Sequence, residues 1–234
     1  MKPLLVLAAF PVVLMGWASC SHSGTGHAAL PDPRAVDKSV PEYKNPFHPS
    51  TYAHFVARKD YRKTYDVYKD DTLLNRQPKK SRKIFVCLDE QRGQYLVDGL
   101  IAMDFPLSSG VKAYPTKTGD YTVISKKEDH ASNLYGKMYD AEGKCINYNA
   151  EATDPVPEGG RFDGSPMPYW QRLTNAGLGL HVGKVRRHPI SHGCVRLPRN
   201  VAEILYKQTS VGTPVTIQRT PLPVPEAQKA PAVQ

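Results

Sequence analysis

Two short strand-like runs, Gln94–Asp98 and Leu100–Phe105, meet at Asp98-Gly99. An Asp-Gly pair between such runs predicts a tight type I′ hairpin, because both turn residues must take positive φ. The same pattern of short apolar runs bounded by turn residues continues along the chain. Ile84–Leu88, Asp120–Ser125, Gly177–Val182 and Val215–Ile217 read as further strands. Only Arg199–Gln208, opened by Pro198 and closed before Gly212, reads as a clear helix. With 21 prolines and 17 glycines an all-helical fold is excluded, and the expectation is a mainly-β sandwich or barrel. Residues 126–166 are polar and turn-rich and read as long loops with a few strands.

The 234 residues suit one domain with appendages. Lys2 followed by the apolar run Leu4–Met15 reads as a signal peptide over residues 1–20, too short for a comfortable membrane span. Small residues follow, and two processing routes stay open. Gly16-Trp17-Ala18 resembles a small-x-small cleavage site. Trp17-Ala18-Ser19-Cys20 resembles a lipobox, which would make Cys20 a lipidation site and a membrane anchor. Either route exports the chain to the periplasm or cell envelope, with outer-membrane anchoring one version of it. Residues 21–50 read as a flexible tether, and 51–81 as a basic, Tyr-rich segment holding a short amphipathic helix. After Arg219, residues 220–234 read as a Pro-rich disordered tail.

The net charge is +9, much of it local: His54 to Lys83 hold ten Lys/Arg against four Asp, 10 − 4 = +6. Such a stretch can meet nucleic acid, anionic lipid or an anionic wall polymer. A solvated charged face accounts for it more simply, and no nucleic-acid partner is expected. Of four cysteines, Cys20 and Cys194 have uses other than pairing. Cys87 and Cys145 remain, as a bridge or as two small buried residues.

The chemistry concentrates in Ser191-His192-Gly193-Cys194-Val195-Arg196, with His181 thirteen positions before the cysteine. A thiol becomes a nucleophile when a base removes its proton, and His181 at a strand end is placed to do so. Gly193 permits a tight turn, and backbone N–H groups beside it can face an oxyanion. Ser191 can hydrogen-bond within the loop. Arg196 can bind a carboxylate or brace the loop. A metal site built from His181, His188, His192 and Cys194 is the second reading. The i, i+4 pair His188/His192 sits between Pro189 and Gly193, where a helix is unfavourable.

Gly179-Leu180-His181-Val182-Gly183, a short linker, then Ser191-His192-Gly193-Cys194-Val195-Arg196-Leu197-Pro198 resembles the catalytic motif of the L,D-transpeptidase (YkuD-like) family. Met167-Pro168-Tyr169-Trp170 and Pro106–Gly110 are similar to family segments as well. One departure is Lys117 in Thr116-Lys117-Thr118-Gly119, where the family commonly has proline. The resemblance covers roughly residues 82–219 and implies a mainly-β catalytic domain with one short helix after the catalytic loop. It implies Cys194 as nucleophile, His181 as base and Gly193 at the oxyanion turn, with Ser191, His192, Arg196, Tyr169 and Trp170 lining the substrate groove. It further implies attack on the meso-diaminopimelate–D-Ala bond of a peptidoglycan stem tetrapeptide through a thioester, and acylation by carbapenems. An amine acceptor gives a 3→3 cross-link, water an L,D-carboxypeptidase, and a protein lysine a wall-anchored protein. No metal or organic cofactor is implied. The rival from another class is a peptidoglycan-binding surface lipoprotein without catalysis.

Overall fold

A computed structural model describes residues 31–77 and 81–229. The export segment 1–20, with Cys20, lies outside the described residues. In chain order the elements are α1 (Tyr52–Ala57), β1 (Tyr68–Lys69), α2 (Asp71–Leu74), β2 (Arg82–Cys87), β3 (Arg92–Val97) and β4 (Leu100–Pro106). Then come β5 (Gly119–Thr122), β6 (Ser125–Lys127), β7 (Ala131–Tyr139), β8 (Cys145–Glu151) and β9 (Arg161–Pro166). The chain continues through β10 (Trp170–Arg172), β11 (Gly179–Val182), β12 (Val195–Leu197), α3 (Arg199–Gln208) and β13 (Pro214–Gln218), and a 3₁₀ turn covers Glu226–Gln228.

The hairpin forms as expected: Asp98 and Gly99 both have positive φ, 51° and 79°, between β3 and β4. These strands sit in a six-stranded sheet ordered β1-β4-β3-β2-β13-β5, in which only β2 and β13 run parallel. A second sheet is ordered β12-β11-β10-β6. Between the two lies the main core, with Ile84, Val86, Tyr95 and Phe105 from the first sheet meeting Leu180, Val195 and Leu197 from the second. Helix α3 closes one side by turning Val201, Ala202 and Leu205 inward, an i, i+1, i+4 stripe that follows from its 3.6-residue period. The mainly-β sandwich is thus present, but the sheets stay open and the barrel half of the expectation falls. At the β12 edge the two sheets are joined only by a bridge between Arg196 and Ser108, just past the end of β4.

The structure refines three further expectations. Residues 126–166, read as long loops with a few strands, are more regular than that: β7, β8 and β9 form a three-stranded sheet ordered β8-β7-β9. Its strands are exposed over most of both faces, with Gly136, Met138 and Ala150 their only buried residues. Without a core on either side there is no apolar alternation to read. Residues 31–50, read as part of a flexible tether, and the segment after them, whose expected short helix forms at Tyr52–Ala57, pack on the outer face of the first sheet. Tyr52, Phe55, Val56 and Tyr61 bury against Ile101, while β1 pairs with β4. Burying each such side chain contributes roughly 1.5–3 kcal/mol, enough to hold a segment whose exposed residues are charged. Residues 220–229, read as disordered, dock as well: Val224 is buried, and the Gln228 side chain bonds both the N–H and the C=O of Ile101.

Beneath the N-terminal segment lies a fully buried ion pair, Arg92 with Asp104. Asp104 also accepts hydrogen bonds from Tyr52 Oη and Tyr61 Oη, each 2.8 Å, and from Gln94 Nε2 at 2.9 Å. A buried charge survives only when paired and fully hydrogen-bonded, and two of these four donors come from residues 52–61. Cys87 and Cys145 are both free thiols, on β2 of the first sheet and β8 of the exposed sheet.

Candidate active site

Strands β11 and β12 are adjacent and parallel, with His181 opposite Arg196. A parallel pair needs a crossover connection, and the 183–194 loop supplies it by passing over the end of β4. Ser109 C=O accepts from the N–H groups of Ile190 and Ser191, at 2.9 and 3.0 Å, and Ser108 Oγ accepts from Arg186 N–H at 2.8 Å. Gln91 locks Ser109 in turn, through its N–H and its hydroxyl. Arg187, held at φ 57°, donates to Thr64 O at 2.9 Å and Glu90 O at 2.9 Å. The loop is therefore tied both to the sheet and to the N-terminal segment.

Within the loop, Ser191 is buried and acts as a local staple. Its Oγ donates to Cys194 O at 2.5 Å and accepts from Gly193 N–H at 3.2 Å. Gly193 takes φ 112°, a conformation closed to residues with a Cβ. Its carbonyl accepts from Thr116 Oγ1 at 2.6 Å, and the Thr116 hydroxyl in turn accepts from Gly110 N–H at 2.8 Å. Gly110 must be glycine for space: a Cβ there would lie 2.0 Å from Tyr114 O and 2.8 Å from Gly193 Cα. The Gly193 N–H is thus engaged by Ser191, whereas the N–H of Cys194 donates to no described residue.

The Cys194 thiol donates to Gly177 O at 3.3 Å. Burial pushes its pKa up, partly offset by a backbone hydrogen bond from Gly179 and by the charge of Arg196. His181 is buried and its pKa is pushed down to about 4, chiefly by burial. Its Nδ1 lies 2.8 Å from Val182 O; a carbonyl only accepts, so Nδ1 carries the proton and Nε2 is left as the basic nitrogen. At neutral pH the pair is therefore thiol and neutral imidazole.

Both groups open onto a cleft of about 600 Å³ between the second sheet and the β7–β9 sheet. Ser191, His192, Gly193, Arg196 and Trp170 line it too. His192 stacks on Tyr135 of β7, ring centroids 4.4 Å apart and 14° from parallel, with Tyr114 beside it at 4.9 Å. Trp170 packs between His130 and His181. Tyr169, expected in the groove, instead sits at φ 55° against Tyr206 of α3. Tyr169 precedes β10, and its left-handed backbone turns its side chain away from the face that Trp170 presents to the cleft. His188 is exposed and lies on Arg186 O, turned from the other loop histidine. Sequence reasoning missed Thr116, Gly177, Tyr135 and Arg172. Thr116 lay in the departing Thr-Lys-Thr-Gly turn; Arg172 was legible as the residue two beyond Trp170, on the same strand face.

Residues 81–217 match the family described as the L,D-transpeptidase catalytic domain (YkuD). This chain belongs to that family. The L,D-transpeptidase match leaves residues 31–77, which help hold the catalytic loop, outside it. A relative, probable L,D-transpeptidase 3 of Mycobacterium tuberculosis, is 32% identical over 120 residues, covering 48% of this chain and 38% of that protein. The chain thus spans well under half the length of this curated relative. Among solved structures, an L,D-transpeptidase from Mycobacterium smegmatis is similar, with a TM-score of 0.46 and 22% identity over 58% of each chain. Another, from Stackebrandtia nassauensis, has a TM-score of 0.44 and 22% identity over 71% of this chain and 65% of that one.

Proposed function

We infer that this chain is a cysteine acyltransferase that attacks the meso-diaminopimelate–D-Ala bond of peptidoglycan stem tetrapeptides and passes the acyl group to a second stem. The observation that carries this reading is the opening of Cys194 and the Nε2-basic tautomer of His181 onto one cleft, on a loop pinned by Ser191 and Thr116.

Attack by Cys194 sulfur on the diaminopimelate L-centre carbonyl transfers the thiol proton to His181 Nε2. The carbonyl oxygen becomes an oxyanion, for which the unengaged N–H of Cys194 is the nearest backbone donor on the loop. Collapse breaks the C–N bond, and His181 returns the proton to the departing D-Ala amine. An acceptor amine then attacks the thioester, His181 takes its proton, and the sulfur leaves and is reprotonated. Burial suits this cycle, since a neutral imidazole is a competent base at every step above its low pKa. The Arg196 guanidinium has no hydrogen-bonding or ionic partner among the described residues, which leaves it for a substrate carboxylate. Export through residues 1–20, anchoring through Cys20 and acylation by carbapenems belong to the same proposal.

Incubating the protein with disaccharide-tetrapeptide, beside its Cys194→Ala variant, tests the reading by mass spectrometry. A cross-linked dimer lacking one D-Ala, absent with the variant, is expected. A tripeptide alone would assign a carboxypeptidase, and no product from the wild type would overturn the reading.

A further inference from the structure

The cleft is lined by four cationic side chains, Lys117, Arg172, Lys184 and Arg196, and by no Asp or Glu. Lys117 and Lys184 are exposed, so their fields are screened and they attract anions without selecting among them. The arginines are different. Both are partly buried, and neither guanidinium meets an acid or a hydrogen-bond acceptor among the described residues. Arg172 Nε is buried without a partner. A half-buried guanidinium left unpaired is costly in a finished fold, and a planar fork of donors matches a carboxylate bidentately.

Their placement brackets the nucleophile. On β10, Gln171 turns to Thr209 at the foot of α3, while Trp170 and Arg172 turn to the cleft. Arg172 lies opposite Gly179, beside the Gly177 carbonyl that holds the Cys194 thiol. Arg196 lies opposite His181, and its aliphatic stem crosses Gly183. From Gly179 to Gly183 is four residues, about 13 Å at strand spacing, with His181 midway. Two extended residues cover about 7 Å, and one long carboxylated side chain supplies the rest.

We propose that Arg172 and Arg196 form a two-point clamp that selects an acyl donor carrying a free carboxylate on each side of the bond attacked. Resting on the stem-peptide reading above, these are the terminal carboxylate of the leaving D-Ala and the free carboxylate on the diaminopimelate side chain. Arg172 is then a specificity-determining residue, and a stem amidated at either position is a poor ligand.

The test is calorimetric titration of the Cys194→Ala protein, which binds without turning over. The ligands are the free-acid stem tetrapeptide, the same peptide with D-Ala carboxamide, and the same peptide with a diaminopimelate side-chain carboxamide. Each amidation is expected to weaken Kd at least about tenfold, the scale of one charge-assisted bidentate pair. Arg172→Gln is expected to weaken the free acid similarly and to abolish the penalty for one amidation; Arg196→Gln should abolish the other. Arg172→Lys keeps the charge without the fork and should restore only part of the affinity. Equal affinity for acid and amides, no measurable binding of the free acid, or an equal loss on all three peptides in Arg172→Gln would overturn the clamp. A wild-type protein that binds the free acid but never cleaves it would sink the transpeptidase reading and leave the clamp standing.

Discussion

Asp104→Asn is the most informative single change outside the cleft. Asp104 Oδ2 accepts from Tyr52, Tyr61 and Gln94, while Oδ1 faces Arg92. Asparagine has one acceptor oxygen and one donor group. If its NH₂ takes the Oδ2 place, three donors are left facing a donor. If it takes the Oδ1 place, the NH₂ opposes the buried Arg92 charge, which keeps only the Thr64 and Asp66 carbonyls at 3.2 and 3.1 Å. Breaking a buried pair from one side costs about 3–5 kcal/mol. For a protein of this size, about 2–4 °C of Tm is lost per kcal/mol, so a fall of roughly 6–20 °C is expected in a thermal melt. The loss should also reach function, because Arg187 of the catalytic loop rests on Thr64 of the same segment. The rate of carbapenem adduct formation on Cys194, read by intact mass, should fall together with stability. Tyr52→Phe is the graded control, removing one of the four donors for about 1–2 kcal/mol. A melt of Asp104→Asn within about 2 °C of wild type would refute the reasoning, since Arg92 would then be satisfied without the carboxylate.

Three further outcomes follow from the site. Because burial holds His181 near 4 and keeps the Cys194 thiol protonated, adduct formation should be flat from about pH 5 to 8 and fall only as His181 gains its proton; an acid limb centred near 6.5 would show an unburied histidine. The same burial sets the sign of a stability term. The unfolded chain binds this proton at 6.5 and the folded one at about 4, so stability is lost as pH falls through that window, by roughly 3 kcal/mol, and His181→Gln should flatten that part of a pH–melt curve. Gly193→Ala forces a Cβ onto φ 112° and shifts the Cys194 N–H; a fall in adduct rate on the order of 10² is expected from a misplaced oxyanion donor, against an unchanged rate if that amide takes no part.

Local signals were legible where the chain needs unusual backbone or a one-sided core. Asp98-Gly99 announced its hairpin, and Pro198 with the inward stripe of α3 announced the helix. The cysteine, its glycine and the upstream histidine were readable as a reactive set because few other chemistries place these residue types so close together. The exposed β7–β9 sheet was not legible, since hydrogen bonding between strands leaves no mark in a sequence that buries neither face. The docking of residues 31–77 was hidden for a related reason. Its aromatics are scattered among charges at no regular period, and only the outer face of the first sheet gives them a common destination. Tyr169 and Trp170 looked equivalent as neighbours, and the left-handed backbone of Tyr169 ahead of β10 separated them.

The sequence by itself determined a candidate reactive pair, a sulfur behind a glycine and an imidazole thirteen residues upstream, together with the short-strand character that excludes a helical fold. Those properties are covalent and local. Only the tertiary structure decided that the imidazole is buried and basic at Nε2, that the thiol is held by a carbonyl from another turn, and that two unpaired arginines flank it in an acid-free cleft. Burial, tautomer and charge balance arise from residues distant in the chain, and they exist only once β4, β10, β11 and β12 stand together.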